Sequence, residues 1–406
     1  MSIPNFKLYA TSFCACVVLL TGCGGGSGTL LSPLPDGLAP ARTNVRPAYG
    51  VIYSFDVSDG EYPSADLTNV NGTLYGTTQL GGKYGQGAVF KTTTSGKETL
   101  VNSFKSEGSS PSAGLTEVNG TLYGTITGGG TNSDGAVFAI SSGKVRLLHS
   151  FGVRSQDGGA PVAPLINVNG TLYGTTRSGG KDSIGTVFSI TPSGKETVLH
   201  SFDVLDGDQP LSGLLDVNGV LYGTTTAGGK YGEGAVFSIT TSGKETILYS
   251  FRAESSDGQH PAAGLINVEG TLYGTTSEGG RAGCYDSGCG TVFSITTAGK
   301  EKVLHRFGRH SDGALPNAGL IDVNDTLYGT TESGGTQKDG TVFAISLSGK
   351  ETLLHSFDGS EGKQPLAGLI DVKGTPYGKD TLYGTTSEGG HGCGEGCGVV
   401  FYLPLD

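Results

Sequence analysis

The sequence has little charge, no cluster of basic residues and no apolar run of membrane-spanning length. Charged residues make up 16% of its 406 positions, and the formal balance is acidic at −11. With no grouped Lys or Arg, and no basic residues alternating with aromatic ones, the chain argues against nucleic acid as a partner. The longest early apolar stretch, Phe13 to Leu20, is broken by small and thiol residues and is too short to cross a bilayer. Helical periodicity is missing as well. The apolar blocks are short, rich in β-branched and aromatic residues, and bounded by glycine-containing turns, which is strand patterning.

What is there in abundance is repetition. Leu74-Tyr75-Gly76-Thr77-Thr78 returns in near copies with tyrosines at 123, 173, 222, 273, 328 and 383, spaced by 48 to 55 residues. A period of that size signals blades or solenoid turns, not a single globular core. Each copy holds four blocks, for example Ala113 to Val118, Thr121 to Ile126, Ala136 to Ile140 and Val145 to Phe151. The first two meet at Asn119-Gly120, a type I′ hairpin signal. Four short antiparallel strands per unit predict a propeller blade.

The two ends are complementary. The block ending in Ser-Phe, or Arg-Phe in one copy, occurs seven times, at Phe55, Phe104, Phe151, Phe202, Phe251, Phe307 and Phe357. Its first copy, Val51 to Phe55, precedes the first complete unit, and the last unit, ending at Val399 to Leu405, lacks one. The expected fold is therefore an all-β, seven-bladed propeller over residues 50–406, closed by an N-terminal strand that completes the last blade. Closure removes two exposed sheet edges.

Residues 1–22 read as an export signal, with Lys7 before the apolar run and Leu20-Thr21-Gly22-Cys23 matching a bacterial lipoprotein cleavage pattern. Cys23 is then the lipidated residue, and Cys14 and Cys16 leave with the signal. Residues 23–49, rich in Gly, Pro and Ser, form a flexible tether. The expected location is the bacterial envelope, with Gly24 favouring the outer membrane, and the lipid is the only expected membrane contact. A monomer is expected.

Loops fall into two populations. Tight Asn-Gly and Ser-Gly-Lys hairpins occupy one rim. The longer Phe-to-Pro segments and the Gly-Gly loops after the tyrosine block gather on the other, where a site belongs. Two of the Gly-Gly loops are enlarged, and they hold the remaining cysteines, Cys284 with Cys289 and Cys393 with Cys397. In an exported chain these are expected to be loop-local disulfides. Their spacings are off the structural zinc pattern, so no metal is expected. No cofactor is expected, since the glycines follow hairpins and not a strand entering a helix.

Three recurring polar or aromatic features belong either to a site or to the scaffold. An acid-Gly pair precedes a Pro in every unit, as in Asp157-Gly158 to Pro161 and Asp206-Gly207 to Pro210. These acids form either a carboxylate ring for cations and sugars or a turn in which the glycine takes positive φ. Uniform occurrence favours the turn. His149, His200, His305 and His355 share one outer-strand position with Tyr53, Asn102 and Tyr249, which points to a half-exposed site that does not ligate metal. The seven tyrosines pack between blades, with Gly76 and its equivalents permitting close approach. Residues specific to single loops are the better functional candidates: Asp208, His260, Asp286, His310 and His391. No catalytic set can be assigned from their spacing.

The Leu-Tyr-Gly-Thr-Thr block, the following Gly-Gly, the Gly-Thr-Val-Phe block (Gly290 to Phe293) and the Ser-Gly-Lys-Glu-Thr turn (Ser242 to Thr246) together resemble the Gloeo/Verruco, or GloVer, tandem repeat across residues 51–406. The resemblance implies a propeller-like fold and surface display, and no defined reaction. The chain is also similar to kelch propellers in period, but it has no Trp anywhere. The functional expectation is a surface-anchored binding module for glycan or envelope protein. The alternatives are a polysaccharide hydrolase or lyase and an envelope assembly protein.

Overall fold

Asparagine and glycine tolerate the left-handed backbone that a two-residue hairpin demands, and here they set the architecture. Asn71 and Gly72 have φ of 51° and 81°, and Asn119, Asn169 and Asn218 with their glycines repeat that geometry. The computed structural model describes residues 49–405 apart from 155, 255, 281–286, 309–311 and 395. The lipoprotein signal, Cys23 and most of the tether lie outside the described residues, as do Cys284, Asp286 and His310.

Seven four-stranded antiparallel sheets follow one another along the chain. Blade 1 runs Thr68–Val70, Thr73–Thr78, Ala88–Thr93 and Glu98–Ser103 from the inside outward. The innermost strands of blades 2 to 6 are Thr116–Val118, Ile166–Val168, Leu215–Val217, Ile266–Val268 and Ile321–Val323, and that of blade 7 is Ile370–Thr375. Each touches the next, and Ile370–Thr375 touches Thr68–Val70, so the circle is complete. Blade 7 takes its outer strand, Gly50–Ser54, from the N-terminal end of the ring, with Gly50 opposite Tyr402 and Ser54 opposite Val399.

The seams are built from three repeated devices. The first is a T-shaped phenylalanine pair. Phe55 meets Phe90 at 4.8 Å, Phe151 meets Phe188 at 5.1 Å and Phe251 meets Phe293 at 5.3 Å, and all of these rings are fully buried. The second is the tyrosine, which packs across the seam as expected: Tyr173 clusters with Leu221 and Phe237 of the next blade. The third lay hidden in the Thr-Thr pair. Its first hydroxyl crosses the seam to an innermost carbonyl, from Thr175 to Ser212 at 3.0 Å and from Thr330 to Ala367 at 3.0 Å. Gly174 is small because a Cβ there would stand 2.8 Å from the Phe188 ring, so the glycine makes room for a phenylalanine of its own blade.

Two expectations need correction, on the innermost strands and on the glycine after the recurring acid. The innermost strands are shorter than the apolar blocks suggested: Ala113 to Leu115 leave the ladder because they converge on the axis, where a Cβ on Gly114 would come 3.1 Å from the Asp66 carbonyl. In blade 7 an insertion at residues 375–380 lengthens the first hairpin. The inserted segment extends it to Thr375 opposite Gly378, with Tyr377 stacked on Tyr402 at 3.8 Å. The glycine after the recurring acid is not generally at positive φ. Gly207 and Gly258 are glycine for space, since a Cβ would meet Thr225 at 2.4 Å and Thr276 at 2.5 Å. Gly207→Ala is expected to cost about 1–3 kcal/mol in urea unfolding, by overpacking.

One hairpin departs from the favoured chemistry. In blade 6 both turn residues are non-glycine, Asn324 at φ 56° and Asp325 at φ 62°. Asp325→Gly is expected to raise unfolding free energy by about 1 kcal/mol, because glycine carries no left-handed penalty. An unchanged urea midpoint would contradict that assignment.

Candidate functional site

The loop-bearing face is held rigid by a second tier of pairing. In each blade the loop between the second and third strands pairs with the connection arriving from the preceding blade. Gly158–Gly159 with Ser178–Gly179 and Gly258–Gln259 with Glu278–Gly279 are two such ladders, and Asp208 bridges to Ala227. Immediately after each ladder, the residue before the proline adopts left-handed φ: Tyr62 (56°), Ser110 (54°), Ala160 (49°), Gln209 (53°), His260 (54°), Leu315 (58°) and Gln364 (54°). None is glycine, and residues preceding proline normally favour extended backbone. Two backbone hydrogen bonds hold each in place. His260 donates its N–H to the Glu233 carbonyl of blade 4 at 3.0 Å and accepts from the Ser277 N–H of blade 5 at 3.2 Å. Leu315 does the same between Cys289 and Glu332. The outcome is a ring of seven fixed backbone positions carrying six kinds of side chain.

The sequence candidates divide accordingly. Asp208 and His260 lie on this ring or beside it. His260 is half-buried between two acids, with Nε2 3.4 Å from Glu233 and Nδ1 3.2 Å from Glu278. His391 is exposed on the last Gly-Gly loop, near the Cys393–Cys397 disulfide. Cys289 is buried and disulfide-bonded, and its expected partner Cys284 lies outside the described residues. Exposed aromatics join them. Tyr62 stands on the ring, and Tyr84 and Tyr231 on the neighbouring loops are each flanked by two cations, Lys83 with Lys105 and Lys230 with Arg252, at 5.0–5.4 Å. The axis itself is narrow, with a cavity of about 250 Å³ lined by Asp66, Gly114, Pro164, Gly213, Gly264 and their neighbours.

A second set of groups stands on the outer seams, and the sequence concealed it. The outer-strand His or Tyr, the recurring acid and a glutamate from the next blade's outer strand meet in five seams. The trios are Tyr53/Asp59/Glu98, His149/Asp157/Glu196, His200/Asp206/Glu245, Tyr249/Asp257/Glu301 and His305/Asp312/Glu351. Tyr249 donates to Asp257 at 2.9 Å, His200 lies 3.0 Å from Asp206 and His305 lies 3.2 Å from Asp312. The glutamate belongs to the Ser-Gly-Lys-Glu-Thr turn, distant in sequence from the pair it meets, so only blade stacking reveals the trio. Glu98, Glu196, Glu245 and Glu301 each leave one carboxylate oxygen buried without a hydrogen-bond partner. Burial, reinforced by the neighbouring Asp, pushes the carboxyls of Glu98 and Glu301 up to about 7. At the last seam Tyr49 stacks on His355 at 3.8 Å instead. Burial lowers that histidine to about 4.

Comparison with known proteins agrees with the architecture. The Gloeobacter/Verrucomicrobia repeat matches residues 38–229, 141–287 and 197–401. No curated protein matches the sequence. Among solved structures, virginiamycin B lyase from Staphylococcus aureus aligns over 88% of this chain and 100% of its own, at 15% identity and a TM-score of 0.58. A 6-phosphogluconolactonase-like protein from Bacteroides uniformis aligns over 77% and 88%, at 15% identity and a TM-score of 0.48. At such identity the likeness extends to the propeller fold alone.

Proposed function

Because the chain belongs to the Gloeobacter/Verrucomicrobia repeat family, we propose that its propeller is a surface-anchored, non-catalytic binding module whose ligand is a glycan. The observation that carries this reading is the ring of seven left-handed positions, where the backbone is constant and the side chain changes from blade to blade. Scaffold positions in this protein repeat their residue type; recognition positions have reason to differ. A rigid backbone also lowers the ordering cost of binding. Tyr62, Tyr84 and Tyr231 are exposed aromatics of the kind that contact sugars, and the ring residues His260, Gln209 and Gln364 supply hydrogen-bonding groups. Attachment through Cys23 would hold the propeller at the cell envelope.

The test is equilibrium binding of a polysaccharide panel to residues 44–406, with reducing ends counted in parallel. Saturable binding without new ends is expected, with Tyr62→Ala and His260→Ala each weakening it by about tenfold, the effect of losing a central contact of ~1.4 kcal/mol. New reducing ends would favour hydrolase or lyase chemistry, for which Glu233, His260 and Glu278 are the group to mutate. No binding to any glycan would overturn the carbohydrate reading and direct the search to envelope proteins.

A further inference from the structure

The seam between blades 2 and 3 differs from the others in how deeply its trio is buried. His149 Nε2 lies 3.3 Å from Asp157 Oδ2 and 3.4 Å from Asp157 Oδ1. Glu196 approaches from the outer strand of blade 3, and one donor atom from each of the three side chains falls within 4.8 Å of the others. The side chains of Asp157 and Glu196 are each only 1% exposed, and His149 is 8% exposed. Asp157 Oδ1 also accepts the Gly158 N–H at 3.0 Å, but among the described residues Glu196 Oε1 has no hydrogen-bond partner and Asp157 Oδ2 has none beyond its ion pair with His149. Two buried carboxylates facing one imidazole, one of them with an orphaned oxygen, carry a large desolvation cost that something ordinarily offsets. Among the described residues the cation paired with this group is Arg154, which stands 3.6 Å from Glu196 on a side chain that is 61% exposed. Asp157 and Glu196 both line a cavity of about 480 Å³ that opens toward His200 and Gln156.

We propose that His149, Asp157 and Glu196 form a binding site for a divalent transition-metal cation such as zinc, with its fourth position open to the cavity. One imidazole nitrogen and two carboxylate oxygens make a donor set suited to such an ion, and three protein ligands with one open position is a familiar zinc arrangement. Calcium is disfavoured because it requires six to eight oxygens. Tetrahedral ligands around zinc stand about 3.3 Å apart, given bonds of about 2.0 Å. The His149–Asp157 separation already has that value, and a Glu196 oxygen lies within 4.8 Å of both donor atoms. Charge balance also improves, since a dication neutralises both acids and releases Arg154 to solvent. The site revises the expectation that no metal binds, which treated the histidines and the recurring acids as separate features. It lies at the outer seam, away from the ring of left-handed positions, so it stands or falls independently of glycan recognition.

The next seam supplies an internal comparison. His200, Asp206 and Glu245 repeat the residue types, but His200 and Asp206 are 19% and 22% exposed, so water already solvates much of that trio. The experiment is calorimetric titration of chelator-treated residues 44–406 with Zn²⁺ alone, repeated with Ca²⁺. Visible absorption of Co²⁺ reports on nitrogen and oxygen coordination. One tight Zn²⁺ equivalent is expected, weakened by at least about 100-fold in Glu196→Gln and in His149→Gln, and retained in Glu245→Gln. Circular dichroism and a melt confirm that each variant is folded before titration. Unchanged Zn²⁺ binding in folded Glu196→Gln, loss of the tight equivalent in Glu245→Gln instead, or no binding to the unaltered ring would each overturn the assignment.

Discussion

A chain that begins at residue 57 is expected to fail to form a stable ring, while one that begins at residue 44 folds and unfolds cooperatively. The difference is one strand and its flanking aromatics. Gly50–Ser54 covers the edge of Val399–Leu405, and Phe55 continues the pairing through a 3.0 Å bond from its N–H to the Gly398 carbonyl. Phe55 is fully buried and forms the edge-to-face contact with Phe90 that seals blade 7 to blade 1. Tyr49 adds a stack on His355 and donates to the Glu361 carbonyl at 2.7 Å. Removing all of this exposes a long apolar edge strand, an aggregation hazard, and empties one of seven equivalent phenylalanine sites. Phe55→Ala alone should cost about 3–5 kcal/mol, the usual penalty for truncating a buried phenylalanine. Size-exclusion profiles and urea curves decide the matter. A monomeric, cooperative transition in the chain lacking residues 44–56, at the unaltered midpoint, would show that closure contributes nothing.

The second large effect concerns pH. Lowering the pH from 8 to 6 is expected to stabilise the ring, opposite to the behaviour of a protein held by ionised carboxylates. Glu98 and Glu301 have carboxyl pKa values raised to about 7 by burial first and by Asp59 and Asp257 second. An acid whose pKa is higher in the folded state binds its proton more tightly there. Its stabilising contribution is complete below the unfolded value near 4.5 and is lost as pH rises toward 7. Two histidines oppose this. His355, lowered to about 4, and His149, also lowered by burial, cost stability as pH falls below the unfolded value near 6.5. The acids, with Glu196 and Glu245 also raised to about 7, therefore dominate between pH 8 and 6, and below that the histidines offset part of the further gain. Glu301→Gln isolates one contribution. The shift taken at face value exceeds 3 kcal/mol. Partial solvent screening reduces the expected gain at pH 8 to about 1 kcal/mol, and to almost nothing at pH 5. Thermal melts across this range test the sign, and a Tm that falls steadily from pH 8 to 6 would refute it.

Much of this architecture was legible because each blade states it again. The Asn-Gly pairs announced the inner hairpins, the recurrent Val-Phe and Ser-Phe blocks announced the third and outer strands, and the unmatched Val51 to Phe55 announced closure. The candidate face was legible only by topology, from which connections are long. The left-handed residues before the prolines were not readable at all, because Tyr62, Ser110, Ala160, Gln209, His260, Leu315 and Gln364 share no residue type. What unites them is φ, imposed by hydrogen bonds to loops of two different blades. The glycine after the recurring acid was read as a turn residue, and at Gly207 and Gly258 it proved to be a spacer for a threonine.

The amino-acid sequence by itself determined the blade count, the strand order, the hairpin types and the way the ends join, since local patterning repeated seven times leaves few other solutions. Only the tertiary structure decided which polar groups meet. His149, Asp157 and Glu196 come from the outer strand of one blade, a connection and the outer strand of the next, and only blade stacking shows that they meet. Strand formation is local and repeats with the sequence. The seams are made by packing one blade against another, which brings together groups about 50 residues apart in the sequence.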